Sequence, residues 1–561
     1  MNDPARSDTL GGRLSSAEWL VVAIVSWLAF VILWAYALDL VGLGLAPRTS
    51  VVAATLTAAA VAGRLYRLIA WRFAETVLLA VAVAATGAFL CWLTWPALLP
   101  PGSGPDLTHH LLLIDYFQRH GTLVHEPNAG GLLGEMADYT PGLHILAFVA
   151  GRLAGTDAFH AVYPLVAVSV ALKLGVFGSI VVRLFDGDRV RVPAAIVALL
   201  CVGHAASYAV GSFVQDSFLA QVVSELFAIL AWWALCWWQQ SSSMFAVLVF
   251  AIAGSAVFLT WPVWLGPLVL SLGVLVLVRS DLGGSDRARH LFIGIGPIAV
   301  VALVHAAGRT SWLSILGTSG AVTQPSPAVL GWWLPMIAAI GLVPALLEPR
   351  TRPVIVLIVA LGLQALTLWA IARARQAATP YMAIKMIYLG LYPAIASAVM
   401  GIVAIARGTE RIGGSIRRPT LAPVILWIVV VVLGVTTLRR DRIPRPNPIV
   451  SNDLFETGRW ARAHVLIDCV DYLVGNDYSA YWLHLAVLGN ARASARSGND
   501  DTYATQASFA RWLDPAAPGR VRYAIANLAI LPAQIRNDVD VLTQVGQAAV
   551  IARRGDTTPC P

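Results

Sequence analysis

A polytopic α-helical membrane protein with a small C-terminal α/β domain is the fold class this sequence predicts, and three observations predict it. Only 12% of the 561 residues are charged, where a soluble chain carries about 25%, and the mean hydropathy is +0.71. Apolar runs repeatedly approach the ~20 residues a helix needs to cross hydrocarbon. Beyond Leu438 the apolar fraction falls and polar residues increase, as in a folded extramembrane unit. The net charge of +8 is scattered through short loops, which argues against a nucleic-acid partner.

Thirteen crossings account for the apolar runs. They are Trp19–Leu38, Thr49–Gly63, Thr76–Trp95, Ala158–Leu184, Val192–Val210, Phe218–Trp238, Met244–Leu259, Val263–Val278, Leu291–Ala307, Ala328–Leu347, Val354–Ala372, Ile384–Ala406 and Leu421–Leu438. The run after Arg6 and Arg13 is longer than a signal-peptide core, so it reads as an uncleaved first helix. Arginine and lysine in short loops stay cytoplasmic. A cytoplasmic N-terminus puts inside the loops holding Arg64 to Arg72, Arg183 to Arg191, Arg279 to Arg289, Arg350 and Arg352, and Arg407 to Arg418. Outside remain chiefly Arg48, Arg119, Arg152, Arg309, Arg373 and Arg375.

This layout gives a transmembrane part, residues 1–438, with a long external loop at 96–157, and an extracytoplasmic domain at 439–561. A multi-pass protein of the bacterial inner (plasma) membrane is the location that follows. In the tail, "DLFETGRWARAHV" has helical periodicity with Asn452 or Asp453 placed to cap it. "CVDYLV", "RYAIANLAIL" and "DVDVLTQVGQAAVIAR" read as strands, the last as a hairpin. Cys91, Cys201 and Cys236 fall inside apolar helices as packing residues. Cys469 and Cys560 both fall in the tail, where an oxidising compartment permits a disulfide.

The long loop carries the polar chemistry. "GSGPDLTHHLLLIDYFQRHG", residues 102–121, starts with helix breakers and runs as a helix to Gly121. One face gathers Asp106, His109, His110 and Leu113, and another gathers Leu107, Leu111 and Ile114. Asp106 read on its own is also a good N-cap, and the histidines are also ordinary interfacial residues. The loop continues with "ADYTPGLHILAFVAGRLAG", residues 137–155, which brings Tyr139, Pro141 and His144.

Asp106-x-x-His109, followed after a gap by Tyr139-Thr140-Pro141-Gly142-Leu143-His144, resembles the first external loop of the C-type (GT-C fold) glycosyltransferases that use polyprenyl-phosphate sugars. The many helices and external C-terminal domain extend the resemblance to the whole architecture. What it implies is an inverting hexosyl- or pentosyltransferase at the outer membrane face. It would move a sugar from a polyprenyl-phosphate donor to an envelope glycan or glycolipid acceptor, in cell wall or envelope biogenesis.

Within that resemblance Asp106 takes the acceptor's proton, because a hydroxyl is a poor nucleophile. His109, His110, Tyr139, His144 and Asp216 orient substrate or a divalent metal, and Asp216 also reads as a cap for the helix starting at Phe218. Lys385, Arg373 and Arg375 bind the donor phosphate, which gathers charge as it leaves; for these three, snorkelling to headgroups is the plainer role. Lys385 is one of only two lysines, with Lys173, and Glu225 is a candidate partner for Lys173. The chain departs from the family in carrying one acidic residue at Asp106 rather than a pair, which leaves metal dependence open. Two extra helices also precede the loop.

No P-loop, dinucleotide fingerprint, "HExxH" or nucleophile elbow is present. A transporter or flippase of a lipid-linked substrate is the alternative from another class, although no repeat symmetry supports it. A polymerase or ligase of lipid-linked oligosaccharides is the alternative among enzymes.

Overall fold

The computed structural model describes residues 13–102, 105–126, 129–185, 187–307, 309, 320, 322–326, 331–412, 421–439, 450–490, 503–514 and 516–555. Three helices open the chain: α1 (Ser16–Leu40), α2 (Pro47–Tyr66) and α3 (Phe73–Thr94). The long loop holds α4 (Pro105–His120) and α5 (Gly142–Ala154). There follow α6 (Ala158–Leu184), α7 (Asp188–His204), α8 (Leu219–Ser241), α9 (Met244–Thr260), α10 (Leu265–Val278) and α11 (Gly284–Ala306). The membrane part closes with α12 (Trp333–Leu347), α13 (Arg352–Ala374), α14 (Tyr381–Ile412) and α15 (Leu421–Arg439).

Each of the thirteen expected crossings falls on one of these helices, but they are not equal in length. Among the described residues eight are long and apolar enough to cross a membrane: α1, α2, α3, α6, α8, α11, α13 and α14. The other five fall on shorter helices. Pro262 heads a 3₁₀ turn, Pro262–Trp264, that divides α9 from α10, because proline cannot donate to the preceding turn. The run Val192–Val210 does not continue as one helix, since the chain turns at Ala205 and restarts at Ala206. The multi-pass membrane character follows from the eight long helices.

At the centre stands α8, buried along its length, with Trp232, Trp233, Trp237 and Trp238 as its bulk. A helix apolar on every side belongs in the middle of a bundle. At the periphery, α2, α3 and α11 bury little and expose apolar side chains such as Leu56 and Phe292. Glu225 of α8 meets Lys173 of α6 at 2.5 Å, and both are 1% exposed. The Lys173 Nζ also lies 5.4 Å from the ring centre of Tyr392 on α14, so one ion pair ties three helices.

Removing one member of such a pair leaves a buried charge without its partner and costs about 3–5 kcal/mol. Lys173→Met is therefore expected to lower the thermal unfolding midpoint of the detergent-solubilised protein sharply. Lys173→Met with Glu225→Leu recovers part of the loss. Equal midpoints for wild type and Lys173→Met would show that the pair holds nothing.

The tail contributes α16 (Asn452–His464), β1 (Val470–Leu473), α17 (Asp477–Trp482), α18 (Thr505–Leu513), β2 (Tyr523–Asn527), β3 (Val539–Val545) and β4 (Ala548–Arg553). The sheet order is β1-β2-β4-β3, with β1 and β2 parallel and the other pairs antiparallel. The strands lie within the three segments read as strands, and the last segment is a hairpin. Neither Asn452 nor Asp453 caps α16; Ser451 does, accepting from the Leu454 amide at 3.3 Å. Cys469 is disulfide-bonded, while Cys560 lies outside the described residues; Cys91, Cys201 and Cys236 are free.

The tail packs on the end of the bundle that carries α4. Phe455 of α16 and Trp482 of α17 each stand 5.8 Å from Phe159 at the start of α6. Arg462 of α16 binds both oxygens of Asp115 on α4, at 2.8 and 3.1 Å.

Candidate active site

Two tight backbone approaches assemble the site. Gly102, at φ +138°, lies so close to the turn before α8 that a Cβ would collide with Ser217 Oγ. Only glycine fits both that angle and that space. The approach sets the start of α4, and hence Asp106, beside the turn that carries Asp216. The second is at Gly142, where a Cβ would stand 2.5 Å from Thr260 Oγ1 and 2.8 Å from the Leu259 carbonyl. It seats the start of α5 on the end of α9, where the Thr140 hydroxyl donates to the Thr260 carbonyl at 3.0 Å. Tyr139 and Trp261 thereby come within 6.2 Å, ring to ring.

Asp106 lies inside the first turn of α4 rather than before it, so it is not the cap of this helix. Its carboxylate is exposed and has no hydrogen bond or ion pair among the described residues. Nor does Asp216 cap α8, whose N-cap is Phe218 without a side-chain bond. Instead the Tyr388 hydroxyl donates to Asp216 Oδ2 at 3.4 Å. Burial pushes the Asp216 carboxyl above its ordinary value and the Asp106 charge adds to that, while Tyr388 and Lys385 oppose it.

Lys385 of α14 is the cation of the group. It is 3% exposed and makes no hydrogen bond or ion pair among the described residues. Its Nζ lies over three rings, 3.7 Å from the centre of Phe218, 4.3 Å from Tyr381 and 4.9 Å from Trp261. Ring faces are negative and stabilise a cation that has left water. The carboxylates of Asp106, Asp216 and Glu225 all act on it through space.

His110 Nδ1 of α4 and His144 Nε2 of α5 stand 3.1 Å apart, so one ring donates to the other. Tyr139 meets both rings edge to face, at 5.4 and 5.8 Å. Burial pushes the His110 imidazole down to about 3, with the positive charges of His109 and Lys385 adding to it, so His110 is neutral at working pH. Burial, and then the Asp106 charge, hold the Tyr139 phenol well above its ordinary value. Tyr139 is therefore a neutral hydrogen-bond donor there.

The remaining expected residues stand elsewhere. His109 is engaged at both ring nitrogens, Nδ1 with Glu135 Oε1 and Nε2 with the Tyr481 hydroxyl, each at 2.8 Å. It fastens the loop to the tail and has no free nitrogen for a substrate. Arg373 and Arg375 are exposed at the end of α13, Arg373 lying 5.6 Å over Trp369 of the same helix. Neither is among the charges that act on Asp216 or Lys385. Arg309 donates to the Val124 carbonyl at 3.1 Å. The sequence reading missed the cage of Phe218, Tyr381 and Trp261, and the Tyr388 contact to Asp216. A signal for two of these exists, since Tyr381 and Tyr388 lie four before and three after Lys385, on its helix face.

Among the described residues no three His, Cys, Asp or Glu side chains are grouped to hold an ion. His110 and His144 also bond to each other.

No protein-family model and no curated protein matches the chain. Solved structures do resemble it. ArnT from Cupriavidus metallidurans bound to undecaprenyl phosphate aligns with 86% of this chain and 98% of its own, at 15% identity and TM-score 0.44. The Archaeoglobus fulgidus oligosaccharyltransferase in the apo form aligns with 81% of this chain and 70% of its own, at 12% identity and TM-score 0.47. The arabinofuranosyltransferase AftD from Mycobacteria aligns with 84% of this chain and 41% of its own, at 14% identity and TM-score 0.47.

Proposed function

We propose that this protein is an inverting membrane glycosyltransferase that moves a sugar from a polyprenyl-phosphate donor to a hydroxyl of an envelope glycan or glycolipid. The observation that carries the reading is the placement of a carboxylate, Asp106, near a buried cation, Lys385, neither of which has a hydrogen bond or ion pair among the described residues. A desolvated ammonium over ring faces, with no hydrogen bond or ion pair among the described residues, is prepared to receive an anion, and a lipid-borne phosphate is an anion that reaches the membrane edge. The proton acceptor and the leaving-group site then stand on two sides of one reacting centre.

In the reaction the acceptor oxygen attacks the anomeric carbon as the carbon–oxygen bond to phosphate breaks. The hydroxyl proton passes to Asp106, and the phosphate leaves with the bonding pair toward Lys385. Asp216 and Tyr388 position the sugar, and Tyr139 offers its hydroxyl as a donor. A single displacement inverts the anomeric centre. The reading places residues 1–438 as the membrane part, with its N-terminus cytoplasmic. Residues 439–561 are then an extracytoplasmic domain that positions the acceptor.

The test is glycan analysis of the envelope of a strain lacking this protein. Loss of one defined sugar linkage, restored by the wild-type chain, supports the reading and names the product. An unchanged set of linkages contradicts it. The raised Asp216 carboxyl gives a further expectation. A carboxyl whose pKa is raised is protonated at higher pH, so transfer that needs its anion falls on acidification earlier than an ordinary carboxylate dictates. The pH profile of transfer should show this displaced acid limb in wild type, and Asp216→Asn should flatten it. A limb unchanged in Asp216→Asn assigns it to another group.

A further inference from the structure

On the opposite side of α4 from Asp106, nine residues further along and so half a turn around, a second polar site faces the tail. A cavity of about 390 Å³ lies between α4, α5, the start of α6 and α16. Four guanidiniums line it, those of Arg119, Arg152, Arg459 and Arg462, against two carboxylates, Asp115 and Asp157. The cavity thus holds an excess of two positive charges.

The internal bonds do not use that excess. Asp115 is almost fully buried and takes Arg462 at 2.8 Å, Arg119 at 3.0 Å and Arg459 at 3.5 Å, while Asp157 is bound by Arg459. Docking the tail is already achieved by Arg462 and Arg459. Arg152 has no carboxylate partner among the described residues; it lies 5.5 Å over Phe148 and donates to the Gln118 carbonyl at 3.0 Å. Arg119 and Arg152 are also two of the few arginines that the loop-charge rule leaves outside the cytoplasm, where a positive charge is not retained for topology.

The height of the cavity points to its ligand. Asp157 caps α6, accepting from the Phe159 amide at 2.8 Å, and α6 is a membrane-crossing helix of 27 residues. At 1.5 Å per residue this helix is about 40 Å long, enough to cover hydrocarbon and headgroup layers together. Its first turn, and the cavity beside it, therefore stand at the level of lipid phosphates. Guanidinium forks match phosphate oxygens in charge and geometry.

We propose that this cavity is a binding pocket for a phosphate group, carried by an anionic phospholipid headgroup or free in solution, separate from the Lys385 site. The pocket does not depend on the transfer reading, and its failure would leave that reading intact.

The test uses the full chain carrying Lys385→Met, so that the other cation site takes no phosphate. In one arm, phosphatidylglycerol is titrated into nanodiscs of phosphatidylcholine, and lipid retained by the protein is counted by native mass spectrometry. In the other arm, inorganic phosphate is titrated in lipid-free detergent and the thermal midpoint is followed. Arg119→Gln with Arg152→Gln is then compared, since these substitutions leave Arg462 on Asp115 and Arg459 on Asp157. Retained phosphatidylglycerol whose affinity falls at least tenfold in the double substitution supports a lipid ligand. Stabilisation by phosphate alone, lost in the same variant, supports the pocket with a soluble ligand. No binding in either arm, or binding that the double substitution leaves unchanged, overturns the proposal.

Discussion

Asp106→Asn lowers the rate of sugar transfer by about 100- to 10,000-fold, the range that a positioned general base contributes. The asparagine keeps the size of the side chain but cannot take the acceptor's proton. Asp106 is exposed and makes no bond that folding depends on, so the variant should be made at normal levels with an unchanged unfolding midpoint. The measurement is initial transfer rate with the donor saturating, beside a thermal melt. A folded Asp106→Asn enzyme with the wild-type rate would remove Asp106 from the chemistry and leave the acceptor's proton to another group.

Lys385→Met is the second large effect. Methionine fills the cage of Phe218, Tyr381 and Trp261 with an uncharged side chain of similar length, so packing is kept while the cation is lost. A fixed charge at a developing anion is worth about 100- to 1,000-fold in rate. A loss of that size is expected in kcat/KM, with KM for the donor raised because the phosphate is charged in the ground state as well. Arg373→Gln, which changes an exposed arginine stacked on Trp369, is expected to leave both constants near wild type. If Arg373→Gln proves the more damaging of the two, donor binding lies at the end of α13 and not in the cage.

How much of this was legible varies with the physical scale of the signal. Apolar runs of near-membrane length located the thirteen helices of the expected crossings, because burial and lipid contact act on every residue of a run. They did not separate full crossings from short helices: Pro262 marked one break openly, whereas the end of α7 at Ala205 carries no proline or glycine at the turn itself. The strands of the tail were legible from alternation and turns, but not the cap at Ser451, which competes with two equally good capping residues immediately after it.

In the site, Asp106 and Lys385 stood out because a charge beside apolar sequence is costly. Their mutual position could not be read, since it depends on backbone approaches at Gly102 and Gly142 between segments more than a hundred residues apart. Lys173 and Glu225 were legible as candidate partners, being isolated charges in apolar helices, and the structure pairs them; that the two helices face each other was not legible. His109 looked equivalent to His110, yet one residue along a helix turns a side chain by about 100°. His109 consequently faces Glu135 and Tyr481 in the joint with the tail, and His110 faces His144 and the interior.

Binding of sugar-free polyprenyl phosphate, the leaving group of the proposed reaction, tests the central claim most directly. It can be measured on the purified protein by native mass spectrometry, without knowledge of the sugar or the acceptor. Wild type and Asp106→Asn are predicted to bind it alike, because Asp106 serves the acceptor, and Lys385→Met is predicted to bind it at least tenfold more weakly. Undiminished binding by Lys385→Met, or loss of binding in Asp106→Asn alone, would contradict the assignment of the caged lysine to the donor phosphate.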